Sequence, residues 1–323
     1  MIVLAAGASA KAVNIQSVVV ANPGNAGELS GTGGEGGDPR ICGSVAYIYE
    51  MGKFEVTEDQ YATFLNAVAQ TDPYGLYSNM MNIGRSGTSG NYRYNGASSS
   101  RPVSWLSWGD AARFCNWLTN GQPGISGYDG NGQPIFDPVP QNANSTEDGS
   151  YYLNGATTNA ALMAVTRKAN AIWVIPSEDE WYKAAYHKND GVTANFWDYP
   201  TRTNTMPIAE NPPGGVNSVN ARHDGNPEPK PVGAYIYAAS PYGTFDQGGN
   251  LWEWTEAVVS VGRQLRGGSF DLDASATWAL GRGFYFNPNR ELSYTGFRVA
   301  YIPEPATVCL LMIGALLARR KRW

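Results

Sequence analysis

The segment "GTFDQGGNLWEWTE", residues 243–256, concentrates unusual chemistry in fourteen positions. It holds one Asp, two Glu, three Gly and two Trp residues. Acidic oxygens on a glycine-rich turn are typical of a calcium clamp, whereas neighbouring Trp side chains are typical of a core. A third interpretation is an active site built on the carboxylates. The rest of the sequence is needed to choose among these three interpretations.

The composition predicts a loop-rich domain with an aromatic core. The chain has 323 residues, which is enough for one large domain or two small ones. Only 16% of the residues are charged, whereas the chain contains 38 Gly, 19 Tyr and 10 Trp. The net charge of −5 disfavours a nucleic-acid partner, because the phosphate backbone attracts basic surfaces.

Cysteine and histidine are too scarce for several classes of site. Cys42, Cys115 and Cys309 lack the paired spacing of a zinc site and are too few for a disulfide framework. His187 and His223 cannot supply a His-rich iron or zinc centre, and both are expected at the surface. The sequence also contains no evident phosphate loop, dinucleotide fingerprint or GxSxG elbow.

Capping boxes predict three helices, each with an apolar stripe that packs on the core. The boxes are Thr57 with Gln60, Ser107 with Asp110, and Ser177 with Glu180. Residues 44–57 alternate apolar and polar side chains before the first helix, which predicts a strand or a hairpin arm. The glycine-rich residues 21–40 predict an exposed loop, and the insert 119–171 predicts loops and hairpins.

The C-terminal tail has the features of a membrane-sorting signal. Pro303, Glu304 and Pro305 precede a mostly apolar, uncharged run at 306–318 and a basic cluster at 319–322. The run is short for a membrane span, which needs about 20 residues, and the basic cluster is expected to stay cytoplasmic. This order resembles the PEP-CTERM signal of Gram-negative bacteria. The resemblance implies a transient inner-membrane anchor, processing by an exosortase-type transpeptidase, and delivery to the cell surface or extracellular matrix.

The N-terminus agrees with export. Residues 1–12 contain a short apolar run that ends in Ala10-Lys11-Ala12, a small-x-small cleavage pattern. The run is too short for a complete signal peptide, so we expect a truncated leader and a mature protein that begins near Val13. Residues 13–42 then form an N-terminal strand and loop region ahead of the main domain.

Six segments, in this order, resemble the formylglycine-generating enzyme family, also called sulfatase-modifying factor domains. They read "GKFEVTEDQYATFL", "RPVSWLSWGDAARFCNWL", "VIPSEDEWYKAAYH", "YGTFDQGGNLWEWTE", "LRGGSFD" and "TGFRVA". The resemblance covers residues 43–301 and leaves 302–323 to the sorting signal. It implies a compact α+β domain, related to C-type lectins, with long loops and little regular secondary structure.

The resemblance also implies that the opening segment is a calcium clamp beside the core. Asp246 and Glu253 would contribute carboxylates, and Gly249 and Leu251 would contribute carbonyl oxygens. Calcium prefers six to eight such oxygens. The metal-free alternative is a buried Glu253 paired with an arginine. A second site would use Asn220, Ala221, Asp224 and Asn226, although an ordinary Asp-Gly turn also explains these residues.

The family's oxidase holds copper(I) between two cysteines that follow the Gly-Gly-Ser turn. In this sequence those two positions carry Leu272 and Thr277. Copper(I) requires soft ligands such as thiolates, and neither side chain provides one. We therefore expect no copper and no formylglycine-generating activity, and an enzyme becomes the less favoured class.

The favoured hypothesis is an exported binding module for a glycan or an extended peptide. Its groove would lie in residues 269–286, where aromatic and charged side chains could stack on a ligand or pair with it. The candidate groove residues are Asp271, Asp273, Trp278, Arg282 and Tyr285. One alternative is an enzyme of different chemistry that uses Asp271, Asp273 or Glu291 as acid and base. The other is a purely structural role in the matrix.

Overall fold

The computed structural model describes residues 13–31, 39–96, 100–223, 227–282 and 284–303. Four α-helices are α1 Glu58–Val68, α2 Trp108–Thr119, α3 Asn159–Ala164 and α4 Glu178–Tyr186, with a 3-10 turn at Ala274–Thr277. The strands are β1 Ser17–Val20, β2 Glu28–Ser30, β3 Arg40–Cys42, β4 Tyr49–Gly52, β5 Ile83–Ser86, β6 Arg93–Gly96, β7 Ile125–Tyr128, β8 Pro134–Phe136, β9 Trp173–Val174, β10 Ile208–Ala209, β11 Ser218–Val219, β12 Trp252–Val259, β13 Gly262–Arg266, β14 Tyr285–Phe286, β15 Thr295–Gly296 and β16 Ala300–Tyr301.

The three predicted capping boxes are confirmed at the starts of α1, α2 and α4. In each, the N-cap hydroxyl accepts a hydrogen bond from the third helical amide, and the third side chain accepts one from the N-cap amide. These bonds satisfy backbone donors that the first helical turn leaves without partners. The apolar stripes of α1 and α2 meet in an aromatic core, where Phe114 lies edge-on to Phe64 at 5.3 Å and to Phe297 at 5.4 Å.

Two four-stranded sheets organise the rest of the domain, in the orders β1-β4-β16-β9 and β14-β13-β12-β15. In the second sheet, β12 and β13 form a hairpin with an irregularity between Trp254 and Val258, and β15 runs parallel to β12. The other described strands form two-stranded ribbons. Short strands, few helices and long connections confirm the predicted α+β class.

The N-terminal region is part of this fold. β1 pairs antiparallel with β4 in the first sheet. The prediction of an exposed loop at 21–40 is wrong in part, because β2 pairs with β3 and both Asn25 and Ser30 are buried. Their side chains donate hydrogen bonds to the carbonyls of Gly43, at 2.8 Å, and Ala279, at 2.7 Å. Polar residues can be buried where such bonds replace water.

The insert 119–171 also contributes to the core. It contains the β7–β8 hairpin, as predicted, and also helix α3, which the loop-and-hairpin prediction missed. Tyr151 and Leu153 are buried, and Glu147 accepts hydrogen bonds from Arg113 of α2 at 2.6 and 3.0 Å. The insert is therefore packed against α2 and is not a peripheral appendage.

The two predicted sorting segments lie outside the described residues. These are the leader at 1–12 and the tail from Glu304 onward, including Pro305, the apolar run 306–318 and the basic cluster 319–322. In the part of the chain that the structure describes, no helix has the length and apolar character needed to cross a bilayer.

Candidate functional site

The opening segment leads into β12 and places Glu253 in the interior, with no exposed surface. Arg298 donates two hydrogen bonds of 2.6 Å to this carboxylate, one to each oxygen. The indole Nε1 of Trp181 donates a third, of 2.7 Å, to Oε2. Glu253 therefore has the arginine partner that the metal-free alternative predicted.

Arg298 joins this carboxylate to the first sheet. Its third guanidinium nitrogen, Nη1, donates to the Gly52 carbonyl in β4, and Nη2, which also bonds Glu253, donates to the Phe245 carbonyl, both at 2.9 Å. Arg298 is itself fully buried. The ion pair thus ties β12 to β4 and to the loop before β12, with its donors and acceptors satisfied in a two-pronged geometry.

Asp246 has a different environment. It has a left-handed backbone, with φ of 60°, and its Oδ2 accepts a 2.6 Å hydrogen bond from the Gly233 amide. Burial raises the pKa of Asp246 to about 6. The residue borders a cavity of about 10 Å³ that is also lined by Ser240, Thr244 and Gln247. A space of that size holds one water molecule or one ion.

The two carboxylates predicted for the first calcium site therefore have different environments. Asp246 borders ion-sized space, whereas Glu253 is neutralised by Arg298. Burial, followed by the charges of Asp246 and Glu253, raises the pKa of Glu55 well above its usual value. Glu55 accepts hydrogen bonds from the Asn250 side chain and the Leu251 amide. Across the described ranges, no three His, Cys, Asp or Glu side chains are grouped to hold a metal.

The second predicted calcium set lies only partly in the described residues. The Asn220 side chain donates to Asn250 Oδ1 at 2.9 Å and to the Glu228 carbonyl at 3.0 Å. The Ala221 carbonyl lies 2.8 Å from Nδ1 of His223. The other two members of the set, Asp224 and Asn226, lie outside the described residues.

Leu272 and Thr277, the positions at which the resemblance would place a cysteine pair, both have structural contacts. Leu272 is half-buried and packs against the core. Thr277 is buried at the end of the 3-10 turn, where its hydroxyl donates to the Ala274 carbonyl at 2.7 Å. Cys42 and Cys115 are buried free thiols in β3 and α2, and burial raises the pKa of Cys42 to about 11. A thiolate, the form that binds metals, is therefore disfavoured at Cys42.

Three of the five groove candidates have partners within the protein. Arg282 is buried and donates to Glu178 at 2.8 and 3.1 Å, so its charge is already paired. Asp271 accepts a 2.6 Å hydrogen bond from the Ser269 hydroxyl. Asp273 caps the 3-10 turn by accepting a 2.9 Å hydrogen bond from the Ser275 amide. The sequence contained no signal for the Arg282 partner, because Glu178 lies more than one hundred positions away.

Tyr285 and Trp278 are the more accessible aromatic candidates. Trp278 is half-buried after the 3-10 turn, and Tyr285 in β14 is 36% exposed. Tyr285 borders an open cavity of about 180 Å³ together with Val261, Phe286, Asn287 and Arg290. Sequence reasoning missed Asn287, which follows β14 directly, and Arg290, which lies three positions further on.

The histidine prediction is half right. His223 is exposed, as expected, but His187 is fully buried at the C-terminal end of α4. Its Nδ1 accepts a 3.2 Å hydrogen bond from the Asn189 amide and lies 2.8 Å from the Tyr242 hydroxyl. Burial lowers the pKa of His187, which favours the neutral ring.

Comparison with known proteins places the chain in a family. The model of the "Sulfatase-modifying factor enzyme 1-like domain" matches residues 6–302. Treponema denticola variable protein 1 is similar in structure, with 19% identity and a TM-score of 0.53 over 89% of this chain and 95% of that one. CarF is similar at 18% identity and a TM-score of 0.53, over 90% of this chain and 99% of that one. These identities support the fold alone.

No functionally curated protein matches the chain significantly. The family match begins ahead of residue 43 and includes β1, which agrees with the pairing of β1 and β4. It also spans both four-stranded sheets and all four helices. The chain therefore belongs to the sulfatase-modifying factor enzyme 1-like domain family.

Proposed function

We propose that this protein is an exported, non-catalytic binding module whose ligand surface surrounds Tyr285. The observation that carries the proposal is the 180 Å³ cavity bordered by Tyr285, Asn287 and Arg290. An aromatic ring beside amide and guanidinium groups can stack on a sugar or peptide and hydrogen-bond its polar edge. The ligand class is a glycan or an extended peptide.

Two further observations support a non-catalytic role. Leu272 and Thr277 occupy the positions where the family's oxidase has its copper-binding cysteines, and neither side chain is a ligand for copper(I). Asp271 and Asp273 hydrogen-bond to neighbouring serines in the same loop. These carboxylates stabilise the local turn, so a catalytic role is not needed to explain why they are there.

An enzyme of different chemistry is the second candidate. The observation that favours it is Glu291, since burial raises the pKa of this carboxyl, as a general acid requires. Turnover of a glycoside, ester or peptide by the purified protein, lost in Glu291→Gln, would establish this candidate in place of the binding module.

Export and sorting form part of the proposal. Their support is the cleavage pattern at residues 10–12 and the PEP motif, apolar run and basic cluster at 303–322. We expect a mature protein without the leader, anchored briefly in the inner membrane and then released to the surface or matrix by an exosortase-type transpeptidase. Intact-mass measurement of the protein from its host tests both ends at once.

Replacing Tyr285 with alanine is expected to weaken ligand binding by about two- to tenfold, because aromatic stacking contributes on the order of 0.5–1.5 kcal/mol. Glycan and peptide arrays would identify a ligand, and calorimetry would then compare the variants. Tyr152→Ala is the matched control, since Tyr152 is an exposed tyrosine on the insert, 59% exposed. Equal affinities for wild type and Tyr285→Ala would refute the proposed surface.

We also propose that calcium binds beside Asp246 and supports the fold. Its ligands would be the Asp246 carboxylate and neutral oxygens around the small cavity, without Glu253. A calcium concentration about one hundred times Kd should then stabilise the protein by about 2.7 kcal/mol. Thermal unfolding with calcium and after chelation measures this effect.

Asp246→Asn should remove most of the calcium response, because the amide carries no charge. Asp190→Asn is the control, since Asp190 hydrogen-bonds to Thr193 and Asn195 in an exposed loop. A melting temperature that is the same with calcium and after exhaustive chelation would rule out a structural calcium ion at this position.

A further inference from the structure

The β5–β6 hairpin carries an exposed arginine that lies close to two tyrosine rings. The guanidinium carbon of Arg85 lies 4.5 Å from the ring centroids of both Tyr77 and Tyr92. We call these three residues the Arg85 clamp. Tyr94, directly opposite Arg85 in the hairpin register, is buried and donates a 2.7 Å hydrogen bond to the Ala69 carbonyl. The clamp is therefore attached to α1 through a fixed strand.

The charge around the clamp is opposite in sign to that of the whole protein. Residues 73–109 contain three arginines and no Asp or Glu, in a chain of net charge −5. Arg101 forms an ion pair with Glu228 at 3.1 Å. Within the described ranges, Arg85 and Arg93 have no such carboxylate partner, and both are exposed. The hairpin thus offers positive charge that the fold does not neutralise.

A stacked guanidinium is well suited to bind an anion. The two rings lie close to the guanidinium of Arg85, whose N–H donors lie at the edge of its plane, where anionic groups such as carboxylates bind in a two-pronged geometry. Because the side chain is already ordered, an anion that binds there loses less affinity to side-chain ordering. The hairpin loop adds exposed hydroxyl and amide groups, from Thr88, Ser89 and Asn91, that can hydrogen-bond sugar hydroxyls.

We propose that the Arg85 clamp binds an acidic polysaccharide through its carboxylate or sulfate groups. This site is additional to the surface around Tyr285 and does not depend on it. The competing explanation is that the clamp only fastens the hairpin, in which case the charge and shape of Arg85 would affect stability and not binding.

The test measures the affinity of the full-length protein for three polymers: a polyuronate, a sulfated polysaccharide and a neutral polysaccharide. Arg85→Gln should lower the affinity for at least one acidic polymer about tenfold or more, and added salt should weaken wild-type binding. Arg85→Lys keeps the charge but not the planar fork, so it should recover only part of the affinity. The two acidic polymers distinguish carboxylate from sulfate recognition.

Arg93→Gln is the matched control, because Arg93 pairs with Ser86 and lies on the opposite face of the hairpin from Arg85. We expect less than about a twofold change for it. Equal losses in Arg85→Gln and Arg93→Gln, full affinity in Arg85→Gln, or equal binding of the neutral polymer would overturn the proposal. So would binding to anionic phospholipid vesicles without binding to either acidic polysaccharide.

Melting temperatures of all variants separate binding from folding. If Arg85→Gln melts markedly lower, Arg85→Lys decides the question, since a folded lysine variant with wild-type affinity would also refute the clamp. Tyr285→Ala should retain acidic-polysaccharide binding, so failure of the Tyr285 surface and failure of the clamp give different results.

Discussion

Replacing Glu253 with alanine should lower the free energy of unfolding by about 3–5 kcal/mol, because it leaves the buried charge of Arg298 without a partner. Glu253 and Arg298 are both fully buried and joined by two hydrogen bonds of 2.6 Å. The same change also removes the acceptor of the Trp181 indole. Urea unfolding of wild type and variant measures the loss.

Two controls separate burial from simple charge pairing. Asp148→Ala breaks the Asp148–Lys168 pair, whose side chains are about one-third exposed, and should cost less than about 1 kcal/mol. Glu253→Gln combined with Arg298→Met removes both charges together and should be less harmful than the sum of the single changes. A Glu253→Ala variant within about 1 kcal/mol of wild type would contradict the structural role assigned to this pair.

Gly249→Ala should destabilise the protein by about 3 kcal/mol or more, because strain and a backbone clash act together. Gly249 has φ of +79°, where side chains other than hydrogen are strained. An added Cβ would also lie 2.3 Å from the carbonyl oxygen of Asn220, and a backbone atom cannot rotate away. The expected result is a lower urea midpoint for unfolding, or failure to fold.

Gly121 is a matched control for this prediction. It has the same φ of +79°, but no atom lies within 4 Å of an added Cβ. Gly121→Ala should therefore show only the conformational penalty, about 1–2 kcal/mol. If the two variants lose equal stability, the close approach of the Asn220 backbone does not contribute to the destabilisation.

The local features of this fold could be predicted from the sequence. The capping boxes at Thr57, Ser107 and Ser177 depend on neighbours three positions away, and all three are confirmed. The six ordered segments predicted the α+β class and the family. The compositional prediction of long loops and an aromatic core also agrees with the structure.

The long-range partners could not be predicted in the same way. Arg282 had the chemistry of a groove residue, but Glu178 pairs with it in the interior. His187 is buried with its ring 2.8 Å from the hydroxyl of Tyr242, a partner 55 positions away in the sequence. For Glu253 the sequence left calcium and an arginine as alternatives, since Arg298 lies 45 positions downstream. Side-chain chemistry indicates that a buried charge needs a partner, but the fold determines which one.

The position of β4 has a practical consequence for producing the protein. Its two neighbours are the first and the last strands of the described chain, with Val18 and Ala300 flanking Met51 on either side. A recombinant fragment that starts after Val20 would therefore lack one neighbour and expose a row of amides and carbonyls. An unpaired strand edge of this kind can pair with the strand edge of another molecule and so promote aggregation. Fragments trimmed to the predicted domain at residues 43–301 keep β4 but lack β1 and are thus expected to precipitate, whereas fragments that begin at Val13 should not.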